Sequence, residues 1–272
     1  MPAGGGDRVL LIFDSGVGGL TVLSEIRRAL PGACLVYVAD NAAFPYGAWE
    51  AEALGDHVVA LFEGLMARFS PQLCVVACNT ASTLVLAPLR ARFAVSFVGT
   101  VPAIKPAAER TGTGLVSVLA TPATVKRDYT QALIRKYAYH CRVTLVGAER
   151  LASLAEAKLA GTPVDMTVLR AEIAPAFVED AGRRTDTVVL ACTHYPLLID
   201  ELRAAAPWSV AWLNPAEAIA RRAARLWQAN LPPAAAGADL ALFTAPEKVS
   251  AALRVALAAY DLKESAPAPA KD

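Results

Sequence analysis

Short apolar runs alternate with longer amphipathic stretches along nearly the whole chain. Runs rich in Val and Leu stand at 8–13 (RVLLIF), 34–39 (CLVYVA), 73–77 (LCVVA), 95–99 (VSFVG), 114–120 (GLVSVLA), 142–147 (RVTLVG), 186–191 (DTVVLA) and 209–213 (SVAWL). Their length and β-branched content suit strands buried on both faces. Helix-period stretches lie between them, among them 19–30, 50–69, 82–92, 122–138, 149–160 and 196–205. Such alternation predicts right-handed βαβ units and an α/β fold with doubly wound, parallel-rich sheets.

Two of the runs end alike. VVACNTAS (75–82) and VVLACTHYP (188–196) each close an apolar strand with Ala-Cys and a Thr nearby. The repetition divides the chain into two similar halves and predicts two pseudo-symmetric α/β lobes with the active site between them. GTVPAIKP (99–106), with its two prolines, reads as one crossing, and a second is expected near 207–214. The expected lobes are therefore 1–99 plus 208–272, and 100–207. LPPAAAGAD (231–239) reads as a loop, and 262–272, ending in ESAPAPAKD, as a disordered tail.

Composition narrows the options. The chain has 272 residues, 55% hydrophobic and 19% charged, enough for a sizeable core. A net charge of +1 makes no case for nucleic acid or an acidic membrane surface. MPAGGGDR lacks the basic and apolar regions of a signal peptide, and no apolar run approaches the length of a membrane span. Five cysteines at non-metal spacings, with only three histidines, predict no metal site and reduced thiols in the cytoplasm.

Ligands of open α/β sheets bind beyond the carboxyl ends of the strands. That rule selects FDSGVGG (13–19), DNAAFPYG (40–47), ACNTAS (77–82) and ACTHYP (191–196). The glycine-rich segment departs from the dinucleotide fingerprint, since Thr21 stands where the third glycine belongs and Asp14 would oppose a phosphate. A nicotinamide-dependent oxidoreductase is thereby disfavoured. A plain strand-to-helix turn remains open, as does a site for a substrate ammonium at Asp14 or a carboxylate at Ser15 and the turn amides.

Buried cysteine is usually inert packing, which suits Cys34, Cys74 and Cys141. Cys78 and Cys192 differ: each is expected where a strand ends and a helix begins, so oriented N–H groups would lower its pKa from about 8.5 toward neutrality. Two such thiols on opposed lobes suggest two-base chemistry, one sulfur abstracting a proton from a stereocentre while the other delivers one to the opposite face. His194 would support Cys192 and Asp14 would support Cys78; each also has a purely structural reading.

FDSGVGGLTV, DNAAFPYG, VVACNTAS, GTVPAIKPA, LATPATVKRDY and VVLACTHYPLL together closely resemble the glutamate racemases of bacterial cell-wall synthesis, from about residue 9 to about 226. The resemblance implies interconversion of L- and D-glutamate without cofactor or metal, supplying D-glutamate for peptidoglycan. It implies Cys78 and Cys192 as the catalytic bases, Cys78 acting on D-glutamate and Cys192 on L-glutamate, with Asp14 assisting Cys78. A family glutamate behind the histidine matches Glu156 in ERLASLAEAKL, implying a Glu156–His194–Cys192 relay. Substrate-binding positions carried over are Asp14, Ser15, Tyr46, Gly47, Asn79, Thr80, Thr124, Thr193 and His194. GAER near 148, Pro122-Ala123 before Thr124, and LNPAEAIA near 214 depart from the family pattern. Aspartate and hydantoin racemases share the two-cysteine plan and are the alternative within the class. Assembly varies among relatives, the homodimer included, and some bind DNA gyrase, for which this sequence carries no signal. Some members with a longer N-terminal extension are activated by a peptidoglycan precursor. Because the first strand here begins by about residue 8, that regulation is not carried over.

Overall fold

A computed structural model describes residues 8–228 and 238–265. Its strands in chain order are β1 (Val9–Asp14), β2 (Cys34–Ala39), β3 (Leu73–Val76), β4 (Ser96–Gly99), β5 (Leu115–Ala120), β6 (Arg142–Gly147), β7 (Glu179–Asp180), β8 (Arg183–Arg184), β9 (Thr187–Ala191), β10 (Ala211–Leu213), β11 (Leu240–Phe243) and β12 (Lys263–Glu264). Two parallel sheets result, one ordered β12-β11-β2-β1-β3-β4 and the other β10-β9-β5-β6, with β7-β8 a small antiparallel hairpin.

The halves repeat at the level of topology. In the first sheet the chain passes from β1 to β2 on one side, then returns to β3 and β4 on the other. In the second it passes from β5 to β6, then returns to β9 and β10. Each sheet thus has its switch point beside its first strand, where connections leave in opposite directions and open a crevice. Cys78 follows β3 and Cys192 follows β9, so the two thiols occupy equivalent places in the two lobes.

Strand side chains alternate between two buried faces. Leu10 and Ile12 of β1 pack under helices 20–29, 216–228 and 251–258, while Val9, Leu11 and Phe13 pack under 51–69 and 79–92. In the second sheet Leu119, Val188 and Leu190 face helices 151–159, 166–173 and 199–205; Val116, Val118 and Val189 face 104–110 and 128–137. None of the described helices is long and apolar enough to cross a membrane.

Several expectations shift. The second lobe does not end at 207: Ala211–Leu213 pairs with β9, so 208–213 belongs with the second sheet and the crossing comes after it. Pairing there covers an edge of β9 that would otherwise present unpaired backbone. Residues 262–264, expected within the tail, belong to the fold instead: Lys263 and Glu264 pair with Leu240 and Ala241, and Leu262 is buried. β11 was not among the strands expected from the sequence, yet it pairs with β2 and covers its outer edge. Residues 266–272 and most of the loop expected at 231–239 lie outside the described residues. The stretch 122–138 is two helices, Pro122–Val125 and Asp128–Tyr137, rather than one.

Candidate active site

The first thiol is set by a strand stop. After β3 the backbone stays extended through Cys78, which caps the helix Asn79–Arg92. The sulfur lies 3.7 Å from Ser15 Oγ and makes no capping hydrogen bond to the helix it opens. A pKa near neutrality was expected from the N–H groups of the helix start, but burial dominates: it pushes the Cys78 thiol far above its ordinary range, and the Asp14 carboxylate adds to the rise. That direction favours the protonated thiol.

Cys192 follows β9 and enters a bend and a 3-10 turn (Tyr195–Leu198), not the helix start expected for it. Its sulfur lies 3.8 Å from His194 Nδ1, and His194 Nε2 lies 2.7 Å from Glu156 Oε1. Glu156, on the helix Leu151–Leu159, stands behind the imidazole. Burial alone would lower the His194 pKa; hydrogen bonds to Cys192 and Glu156 overcome it and hold the ring well above its ordinary value. An imidazolium donates from both nitrogens, which suits a carboxylate on one side and a sulfur on the other.

Asp14 ends β1 and is fully buried. Its Oδ1 accepts the Ser15 N–H at 2.6 Å, and its Oδ2 accepts the Thr193 hydroxyl at 2.8 Å from the other lobe. Burial raises its pKa, against the opposing pull of His194, Thr193 and Ser15. A donor crosses the other way as well: the Val17 N–H reaches Glu156 Oε1 at 2.7 Å.

Both thiols border one small cleft. Ser15, Tyr46, Gly47, Asn79, Thr80, Thr193 and His194 border it too, so the carried-over binding positions converge, with two exceptions. Asp14 lies beneath Ser15 and Thr193. Thr124 is fully buried behind the wall, its hydroxyl 3.0 Å from Thr121 Oγ1 and 3.4 Å from Thr80 Oγ1; Thr121 is the hydroxyl that borders the cleft. The Asn79 amide is buried with neither its nitrogen nor its oxygen partnered among the described residues. A buried amide left so costs about 1–3 kcal/mol, a cost that a polar ligand removes.

Sequence reading missed the support of the Phe44–Gly47 wall. Asp40, at the end of β2, accepts the Tyr46 hydroxyl at 2.5 Å and the Thr244 hydroxyl at 2.8 Å, and lies 2.6 Å from His57 Nε2. Burial opposes the charge on Asp40, but those three hydrogen bonds outweigh it and hold the carboxyl below its ordinary value. Asp40 was visible as the first residue of DNAAFPYG, which also holds Tyr46; its other partners are His57 on the helix Ala51–Phe69 and Thr244 just after β11. Phe44 lies against the His194 ring with centroids 5.4 Å apart.

Two parallel lobes with a paired thiol site between them are the architecture of an amino-acid racemase, an isomerase. The chain belongs to the Asp/Glu/Hydantoin racemase family, whose profile matches residues 18–223. It is 59% identical over 244 residues to the glutamate racemase of Mesorhizobium japonicum, spanning 88% of this chain and 92% of that one. With the glutamate racemase of Brucella anthropi it shares 58% over 227 residues, 83% of this chain and 82% of the other. Among solved structures, Escherichia coli glutamate racemase in complex with L-glutamate and the activator UDP-MurNAc-Ala superimposes with a TM-score of 0.91 at 40% identity, covering 98% of this chain and all of that one. A Bacillus anthracis glutamate racemase isoform matches with a TM-score of 0.78 at 28% identity, covering 97% of each chain.

Proposed function

We propose that this protein interconverts L- and D-glutamate by two-base proton transfer at Cα, with Cys78 and Cys192 as the paired acid and base. The observation that carries the reading is one cleft bordered by two thiols, each from a different lobe and each with its own proton-managing group. In one direction the Cys192 thiolate takes the Cα proton of L-glutamate while its charge faces the His194 imidazolium. The electron pair left on Cα spreads into the α-carboxylate, and the protonated Cys78 delivers its proton to the opposite face. The reverse direction exchanges the roles. Asn79 and the hydroxyls of Thr80 and Thr121 supply donors and an acceptor for the substrate's polar groups, and Tyr46 and Gly47 form the wall. Supplying D-glutamate for peptidoglycan is the role the family implies. Both thiols must remain reduced, which suits the cytoplasm. A homodimer is one of the assemblies found among relatives, and sedimentation of the purified chain tests for it.

Exchange of the Cα hydrogen in deuterated water, started from each enantiomer, tests the mechanism. Cys78→Ala and Cys192→Ala should each retain the wild-type circular dichroism spectrum and lower racemisation by about 10²–10⁴-fold, the usual worth of a positioned acid or base. Near-normal turnover by either single variant would sink the two-thiol reading. Comparing L-glutamate with L-aspartate at matched concentrations separates glutamate from aspartate racemisation.

A further inference from the structure

Resting on that reading, we infer that each lobe positions the carboxylate serving the other lobe's thiol, so that both proton relays are complete only when the lobes are together. The Thr193 hydroxyl of the second lobe holds Asp14 Oδ2 at 2.8 Å. In return the Val17 N–H of the first lobe holds Glu156 Oε1 at 2.7 Å. That is the same oxygen that meets His194 Nε2 at 2.7 Å, so one backbone donor fixes the orientation of the carboxylate behind Cys192.

Gly16 makes this approach physically available. A Cβ at position 16 would lie 2.0 Å from Glu156 Oε1 and 3.1 Å from His194 Nε2. No left-handed backbone is involved; the requirement is space. The loop itself is anchored, since the fully buried Tyr37 donates its hydroxyl to the Gly16 carbonyl at 2.5 Å and Asp14 Oδ1 accepts the Ser15 N–H. Glu156, by contrast, ends a flexible side chain that is about a quarter exposed, with 24% relative accessibility. A methyl group at position 16 therefore displaces the Glu156 carboxylate rather than the loop. At Gly18 a Cβ would instead meet the His194 backbone nitrogen at 2.7 Å, which cannot yield so cheaply. Gly16, Val17 and Thr193 thus act as positioning residues, setting the relays without exchanging the substrate's proton.

The discriminating experiment is a double-mutant cycle of Gly16→Ala with Glu156→Gln, read by kcat/KM against pH. Each single variant should lose about tenfold in kcat/KM and move the basic limb to lower pH, because losing the Glu156 hydrogen bond lowers the His194 pKa. The double variant should match Glu156→Gln alone, since the displaced contact is already gone. Additive losses, or a Gly16→Ala enzyme with the wild-type profile, overturn the inference. Should Gly16→Ala fail to fold in thermal melts, Thr193→Val against Thr193→Ser decides. Valine should move the acid limb to higher pH by removing a donor from the Asp14 carboxylate, and serine should restore it; two variants with the same limb overturn the inference. Failure of the two-thiol reading shows separately, as turnover surviving in the Cys78→Ala or Cys192→Ala protein.

Discussion

Asn79 concentrates the tension between folding and function in a single residue. It is buried at the first position of a helix, and its amide finds no partner among the described residues. An ordinary buried truncation costs stability, but here the substitution removes an unsatisfied polar group that itself costs about 1–3 kcal/mol. Asn79→Ala should therefore melt at or above the wild-type temperature while KM for glutamate rises about tenfold, the equivalent of ~1.4 kcal/mol of lost binding. Calorimetric melting and steady-state kinetics on the same preparation check both halves; a destabilised variant with unchanged KM would show that the amide serves packing. His194 and Cys78 show the same competition differently. Burial acts on both, but two hydrogen-bond partners reverse its effect on the imidazole, whereas the donors at Cys78 do not.

At the scale of elements, the Asp40–His57 pair ties β2, the Phe44–Gly47 wall and the helix Ala51–Phe69 together. His57 is raised above its ordinary value of 6.5 chiefly by its hydrogen bond to Asp40, and Asp40 is held below its ordinary 3.8. The signs set the pH window. A raised histidine contributes stability that is full below its unfolded value and fades as pH climbs through the folded value. A depressed carboxyl contributes stability that is full above its unfolded value and fades as pH drops through the folded one. The pair should thus contribute most between about pH 4 and 6.5. His57→Gln should lower the melting temperature within that window and approach wild type by pH 9. A penalty independent of pH would assign His57 to packing against Trp49, whose ring centroid lies 5.1 Å away.

For the whole molecule the cleft is the deciding feature. It encloses a free volume of about 30 Å³, space for a water rather than an amino acid. If the lobes part to admit substrate, the Thr193–Asp14 and Val17–Glu156 hydrogen bonds break with them. Native-state hydrogen exchange reads that opening directly. The Val17 amide should exchange well before the β1 amides of Leu11 and Ile12, and saturating glutamate should slow it selectively. Equal protection of all three would mean that the lobes do not separate independently of global unfolding.

Much of this molecule was legible before any coordinates. Eight of the strands follow from apolar runs bounded by turn residues, because a strand buried on both faces writes its own pattern. The two Ala-Cys strand ends announced the pseudo-symmetry, since topologically equivalent positions here carry similar residues. β12 and the β7-β8 hairpin were not legible, because two residues per strand hold too little periodicity; β11, no shorter than β3 or β4, was missed as well, and the pairing of all four is decided by which edges the rest of the structure leaves open. Asp40 gained its place partly through His57 and Thr244, which lie outside its motif, and Thr121 partly through the Thr80 hydroxyl of the other lobe. What the sequence determined by itself is the α/β class, the family and the two thiols, all of which are local patterns. Which lobe owns 208–213, which hydroxyl faces the cleft, whether Glu156 reaches His194, and which groups carry protons were decided by tertiary structure. These depend on burial and on distances of a few ångströms between segments that lie well apart in the chain, and nothing local encodes either.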